Sequence, residues 1–197
     1  GIVKKFPGVV ANDHVDLDLF AGEIHALLGE NGSGKSTIMS VLAGLYKPDA
    51  GEILVDGAPV AFASPRDAIE AGIGMVHQHF KLVEPFTVAQ NIQLSERGGA
   101  FLLSDAAIRQ EIKAFETRFG LAVDPDSPVW QLSVGEKQRV EIVRILYRGS
   151  RVLILDEPTT VLTPQETAEL FVNMKKMAAA GCAVVFITHK MNEVQEV

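Results

Sequence analysis

Gly29-Glu30-Asn31-Gly32-Ser33-Gly34-Lys35-Ser36 follows a short apolar run, residues 23–28, and leads into a stretch, 36–45, of helical character. A strand, a glycine-rich turn and a helix start in that order predict a loop whose backbone N–H groups converge on one concavity and cradle a phosphate. Glycines let the chain take backbone angles that other residues resist. The helix that begins near Ser36 adds the positive end of its dipole. Lys35 is long enough to reach the β- and γ-phosphates of a nucleotide, and the Ser36 hydroxyl can ligate Mg²⁺. The stretch predicts a domain that binds ATP together with Mg²⁺.

Outward from this loop the chain alternates strands with helices. Towards the N-terminus, Val15, Leu17 and Leu19 alternate with Asp16, Asp18 and Phe20, a period-two pattern that predicts strand. Downstream, Asp56-Gly57 between two apolar runs predicts a hairpin within 51–62. A helix over 65–71 and a strand over 73–76 come next. Further on, a helix is expected over 134–147, a buried strand over 152–155, a helix over 164–179 and another buried strand over 183–187. This alternation predicts an α/β fold with a mainly parallel sheet, to which the hairpin region adds an antiparallel β subdomain.

Residues from about 79 to 131 differ in character. They carry Pro85, Pro125, Pro128 and the Gly98-Gly99 break. They also hold a predicted helix over 104–119, with Ser104 and Asp105 as caps and Ile108, Ile112, Phe115 and Phe119 on one face. The expectation is a helical lobe inserted into the α/β core, with 1–197 forming one nucleotide-binding domain.

A second chemical feature closes the strand at 152–155, which runs into Asp156-Glu157. Acids at the carboxyl end of a buried strand stand where open α/β sheets bind ligands. Asp156 suits a Mg²⁺ ion held through its water shell. Glu157 is placed to orient or deprotonate an attacking water.

Bulk properties narrow the class. A net charge of −7 over 197 residues opposes a nucleic-acid surface, which needs a basic field, so nucleic acid is not an expected partner. No stretch approaches the roughly 20 apolar residues that span a bilayer. Cys182 is the only cysteine, which fits a reducing, cytosolic setting. No secretory leader is expected. The chain starts without Met inside a strand and stops soon after one, so it is expected to be a piece of a longer protein that lacks the C-terminal part of its domain.

With these motifs in place, the sequence resembles the ATP-binding cassette (ABC) family of P-loop NTPases over nearly its whole length. The phosphate loop is similar to the family's Walker A motif, and 152–157 to its Walker B strand with the catalytic glutamate. Leu132-Ser133-Val134-Gly135-Glu136 resembles the signature motif, usually written L-S-G-G-Q. Gln78 stands at the Q-loop position, His189 at that of the switch histidine, and Phe6 where an aromatic residue stacks on adenine. Within Val161-Leu162-Thr163-Pro164-Gln165-Glu166, Thr163 replaces the usual aspartate of the D-loop. Ser133 with Glu136 also matches a helix capping box.

The resemblance implies a Mg²⁺-dependent ATPase. Glu157, His189 and Gln78 would act on the attacking water and γ-phosphate, and Ser36, Gln78 and Asp156 would surround the metal. Phe6, Gly29, Glu30, Asn31, Gly32, Ser33, Gly34, Lys35, Ser36 and Thr37 would hold the nucleotide. Ser133 and Gly135 would serve the nucleotide of a second cassette. Phe6-Pro7-Gly8-Val9, His77-Gln78-His79-Phe80 and the stretches 132–141 and 161–166 further resemble the first cassette of tandem ATPases in bacterial nucleoside and simple-sugar importers. That subgroup implies a second cassette in the same polypeptide, membrane permease subunits, a solute-binding protein, and a position on the cytoplasmic face of the membrane. Two alternatives stay open at this point: a soluble cassette ATPase without a membrane partner, and an ATP-binding module without turnover.

Overall fold

The computed structural model describes residues 1–78, 80–94 and 105–197. The first two strands, β1 (Ile2–Phe6) and β2 (Val9–Val15), pair antiparallel. β3 (Ile24–Leu28) leads through the glycine-rich turn into α1 (Lys35–Leu42). β4 (Ile53–Val55) and β5 (Ala58–Val60) form the expected hairpin. Its turn residues Asp56 and Gly57 lie at φ 53° and 77°, the two successive positive angles of a tight hairpin turn, which Asp-Gly adopts readily. α2 (Pro65–Glu70) and β6 (Ile73–Val76) follow. Val3 bridges to Ala50, which joins the N-terminal strands to the segment before the hairpin.

The chain continues through α3 (Val88–Gln93), α4 (Asp105–Phe119) and a single 3₁₀ turn, Val129–Gln131. It then forms α5 (Val134–Tyr147), β7 (Val152–Asp156), α6 (Pro164–Ala179), β8 (Ala183–Thr188) and α7 (Met191–Glu196). Ser104, the Gly98-Gly99 break and His79 lie outside the described residues.

Four strands make the central sheet in the order β3-β8-β7-β6, and every pairing in it is parallel. Successive residues of a strand face opposite sides, and both sides are covered here. Leu153 and Leu155 of β7, with Val184 and Phe186 of β8, enter one apolar cluster with side chains of α3, α4, α5 and α6. Ile154, Val185 and Ile187 enter a second, with Met39 of α1 and Ala68 of α2. Burying each such side chain contributes about 1.5–3 kcal/mol, so β7 and β8 form a stiff centre.

One expectation is corrected. The alternation from Val15 to Phe20 predicts strand, yet β2 ends at Val15 and residues 16–20 pair with nothing among the described residues. Leu17 and Leu19 pack against the second cluster while Phe20 is 61% exposed. Alternation sets which side chains face the core, but a strand also needs a partner edge, and no strand among the described residues pairs with this stretch.

Parallel strands all end on the same side of a sheet. The carboxyl ends of β3, β7 and β8 therefore deliver the phosphate loop, Asp156 and Thr188 to one rim.

Candidate functional site

At that rim the phosphate loop is held from outside and from within. Gly34 caps α1 at φ 87°, a left-handed conformation, and its carbonyl accepts a hydrogen bond of 3.1 Å from Asn12 Nδ2 of β2. A Cβ on Gly34 would stand 2.3 Å from the Ala11 carbonyl oxygen, so strand β2 presses on the loop at a place where only glycine fits. Lys35 Nζ donates to the carbonyls of Gly29 and Glu30, both at 2.7 Å, and to Ser33 Oγ at 3.1 Å. The loop thus folds around its own ammonium group. Gly29, Glu30, Asn31, Gly32, Ser33 and Thr37 all belong to this loop or to the first turn of α1.

Ser36 Oγ donates to Asp156 Oδ1 at 3.2 Å, joining residues 120 positions apart. Burial pushes the Asp156 carboxyl above the usual carboxylate range; the Ser36 hydrogen bond and Lys35 oppose that push, and the Glu157 charge adds to it. A hydroxyl and an under-compensated carboxylate in contact form a hard oxygen donor pair. Among the described residues no group of three or more His, Cys, Asp or Glu could hold a metal on its own. One carboxylate and one hydroxyl fit Mg²⁺, which takes few protein ligands and completes its shell with water and phosphate oxygens.

Glu157 follows at φ 46°, uncommon for a residue with a side chain and a form of strain that collects at functional sites. Thr160 Oγ1 donates to Glu157 Oε2 at 3.3 Å, and His189 Nδ1 stands 3.8 Å from Glu157 Oε1. His189 is 45% exposed at the side chain and Glu157 24%, so both face an open rim. Lys35, Ser36, Asp156, Glu157 and His189 are thus linked around the ends of β3, β7 and β8. Gln78 is exposed beyond the end of β6, the strand next to β7. Phe6 ends β1, with its ring edge-on to Tyr46 at 5.3 Å and Lys4 Nζ at 5.5 Å from its centroid.

Ser133 and Gly135 belong to a different set of contacts. Ser133 caps α5: its Oγ accepts from Glu136 N at 3.2 Å, and Glu136 Oε2 accepts from Ser133 N at 2.8 Å. Thr163 caps α6 in the same way with Glu166. The two caps meet, because Glu166 Oε1 also accepts from Ser133 Oγ at 3.3 Å and Gly135 N at 3.2 Å. A buried tether ties this set to the rim, with Gln138 Nε2 of α5 donating to the Pro158 carbonyl at 2.9 Å.

Several residues here escape the sequence reading. Glu193 of α7 is buried and accepts from Thr159 Oγ1 and Thr188 Oγ1, both at 2.6 Å, with Lys190 Nζ at 2.9 Å. Burial works against its ionisation, yet the bonds from Thr159, Thr188 and Lys190 outweigh it and hold the carboxyl below the ordinary range. This knot fixes the backbone on both sides of His189. No local pattern marks Glu193, Asn12 or Tyr46. Glu166 carries a signal, the Thr-x-x-Glu spacing of a capping box ahead of an apolar run.

The family model described as ABC transporter matches residues 12–160. The chain is 49% identical over 197 residues to the nucleoside import ATP-binding protein NupA of Lactococcus lactis subsp. cremoris, in an alignment covering 100% of this chain and 39% of that protein. It is 46% identical over 225 residues to the glucose import ATP-binding protein TsgD13 of Haloferax volcanii, covering 100% of this chain and 41% of that protein. The chain therefore spans about two-fifths of the length of these curated relatives. A dimeric structure of MJ0796, a bacterial ABC transporter cassette, matches 99% of this chain and 88% of its own at a TM-score of 0.81 and 27% identity.

Proposed function

The chain belongs to the ABC transporter family, and from that premise we propose that it binds and hydrolyses ATP to power an importer, with nucleosides as the transported class. The observation that carries the reading is the convergence of Lys35, the Ser36–Asp156 pair, Glu157 and His189 on the rim where three parallel strands end. Phosphoryl transfer to water needs positioning and charge neutralisation rather than covalent chemistry, and these residues are of the right kinds.

Lys35 leaves the loop carbonyls for the β- and γ-phosphates, while the N–H groups of 29–37 surround the β-phosphate. Ser36 and Asp156, together with Gln78, would hold Mg²⁺, which when bound would neutralise charge on the phosphates. Glu157 orients the attacking water and takes its proton. His189, fixed by the Glu193 knot, contacts the γ-phosphate and helps retain that water. The Phe6 ring, backed by Tyr46, stacks on adenine.

Residues 1–197 form one cassette in this reading, with 79–131 as its helical lobe. The facing half of the ATP site comes from the signature loop of a second cassette, and Ser133 and Gly135 serve that partner's nucleotide. No helix among the described residues is long and apolar enough to cross a membrane. In this reading, which the likeness to import ATP-binding proteins supports, membrane permease subunits take up the motion through the lobe near residues 78–87, with the cassette lying peripherally on the cytoplasmic face and a solute-binding protein delivering the solute. A second reading, a simple-sugar importer, is favoured by the likeness to a relative named for glucose import.

Lys35→Ala, placed in the full-length protein, tests this. ATP turnover of the assembled transporter should fall by about 10²–10³, the cost of losing one charge-stabilising donor at a reacting centre. In cells, uptake of labelled nucleosides should stop. Loss of pentose or hexose uptake instead selects the second reading, and unchanged turnover with unchanged uptake of both overturns the function.

A further inference from the structure

The contact between the two helix caps bears on how the composite site closes. In the function proposed above, on which this inference rests, Ser133 Oγ and Gly135 N are the donors that grip the γ-phosphate on the second cassette. Both already have an anionic acceptor. Glu166 Oε1 takes Ser133 Oγ and Gly135 N, while its Oε2 takes Thr163 N and Thr163 Oγ1, both at 3.0 Å. One carboxylate spans the starts of α5 and α6.

The arrangement depends on the residue types at these places. A Cβ on Gly135 would stand 2.6 Å from Glu166 Oε1, so a side chain there would push the carboxylate away. The bond from Thr163 N, then those from Thr163 Oγ1, Gly135 and Ser133, outweigh desolvation and hold Glu166 below the ordinary carboxylate range, so it is ionised at neutral pH. The cations nearest along α5 are engaged elsewhere: Lys137 with Glu84 at 2.9 Å, Arg139 with Glu169 at 3.3 Å. Thr163 and Glu136, two of the departures from the usual family residues, are the partners that complete the two caps joined at Glu166.

We propose that Glu166 acts as a built-in stand-in for phosphate: its carboxylate occupies the signature-loop donors when no nucleotide faces them, and it must leave before the second cassette's ATP can dock. Two anions cannot share one pair of donors, because like charges in contact repel and each needs the same hydrogens. Glu166 is partly exposed, so water reaches the displaced carboxylate, and its Oε2 can keep the α6 cap while Oε1 lets go. The residue is a threshold on closure: it sets how much ATP is needed and leaves the rate of the closed site alone.

The test uses the intact transporter, with its membrane subunits, and reads the apparent KM and kcat for ATP. Glu166→Gln keeps an oxygen for the Thr163 cap and loses the charge; Glu166→Ala loses both. Both should lower the apparent KM about three- to tenfold, the order expected when a charge-assisted contact that competes with substrate is removed, with kcat moving less than KM. Ser133→Arg is measured alongside. If Ser133→Arg stops turnover but neither Glu166 variant lowers KM, Glu166 is only a helix cap and the inference fails while the composite site stands. If Ser133→Arg leaves turnover intact, the composite site itself is wrong.

Discussion

The two regions with ATP-site chemistry are built by opposite means. The rim of Lys35, Ser36, Asp156, Glu157 and His189 takes its geometry from the sheet. Its defining contact joins residues 120 apart, Asp156 is half-buried, and the centres of β7 and β8 behind it are buried on both faces. The region around Ser133, Gly135, Thr163 and Glu166 takes its geometry from two helix caps, each made by residues three apart in sequence and both near the surface. The first needs the whole fold to exist and resists deformation. The second needs only local hydrogen bonds and one bridging carboxylate, so it can rearrange when another surface approaches. In the proposed function, a rigid half to hold the nucleotide and an adjustable half to meet a partner suit a site completed across an interface.

The contrast can be broken at either end. Glu157→Gln should have the largest effect: ATP turnover in the assembled transporter falls about 10²–10⁴-fold, the usual contribution of a positioned base, while ATP binding persists. Turnover within a few-fold of the parent would remove Glu157 from the chemistry. Next is Ile154→Ala, beneath the rim in β7, where the side chain is fully buried. It should cost about 2–5 kcal/mol of stability in urea unfolding followed by circular dichroism. A loss as small as that at an exposed cap would show that the rim does not lean on the sheet as described. Smallest is Thr163→Ala at the start of α6, expected to cost about 1 kcal/mol by the same measurement, the ordinary value of an N-cap hydroxyl. A much larger loss would mean that the cap region is as cooperative as the sheet, and the contrast would dissolve.

Much of this was present in local sequence. The phosphate loop, Asp156-Glu157 and the Ser133 cap are short segments whose residue types state their own geometry, and the spans of α5 and α6 follow from cap, periodicity and following turn. The stretch 16–20 alternates without forming a strand, because alternation reports sidedness and says nothing of a partner strand. Glu166 was half visible, since its cap to Thr163 is a sequence pattern but its reach to Ser133 and Gly135 is not. Glu193, Asn12 and Tyr46 gave no signal, because each works through contacts to residues distant in the chain.

Sequence by itself determined the α/β class, the glycine-rich loop between β3 and α1 and the identity of the acids at the end of β7, because turn geometry, helix caps and strand burial are decided by neighbours along the chain. Only the tertiary structure decided that Ser36 meets Asp156, that Glu193 clamps both sides of His189, and that Glu166 joins two helix starts. Those contacts arise where parallel strands and separate helices converge, and their convergence is set by burial of both sheet faces rather than by any short run of residues.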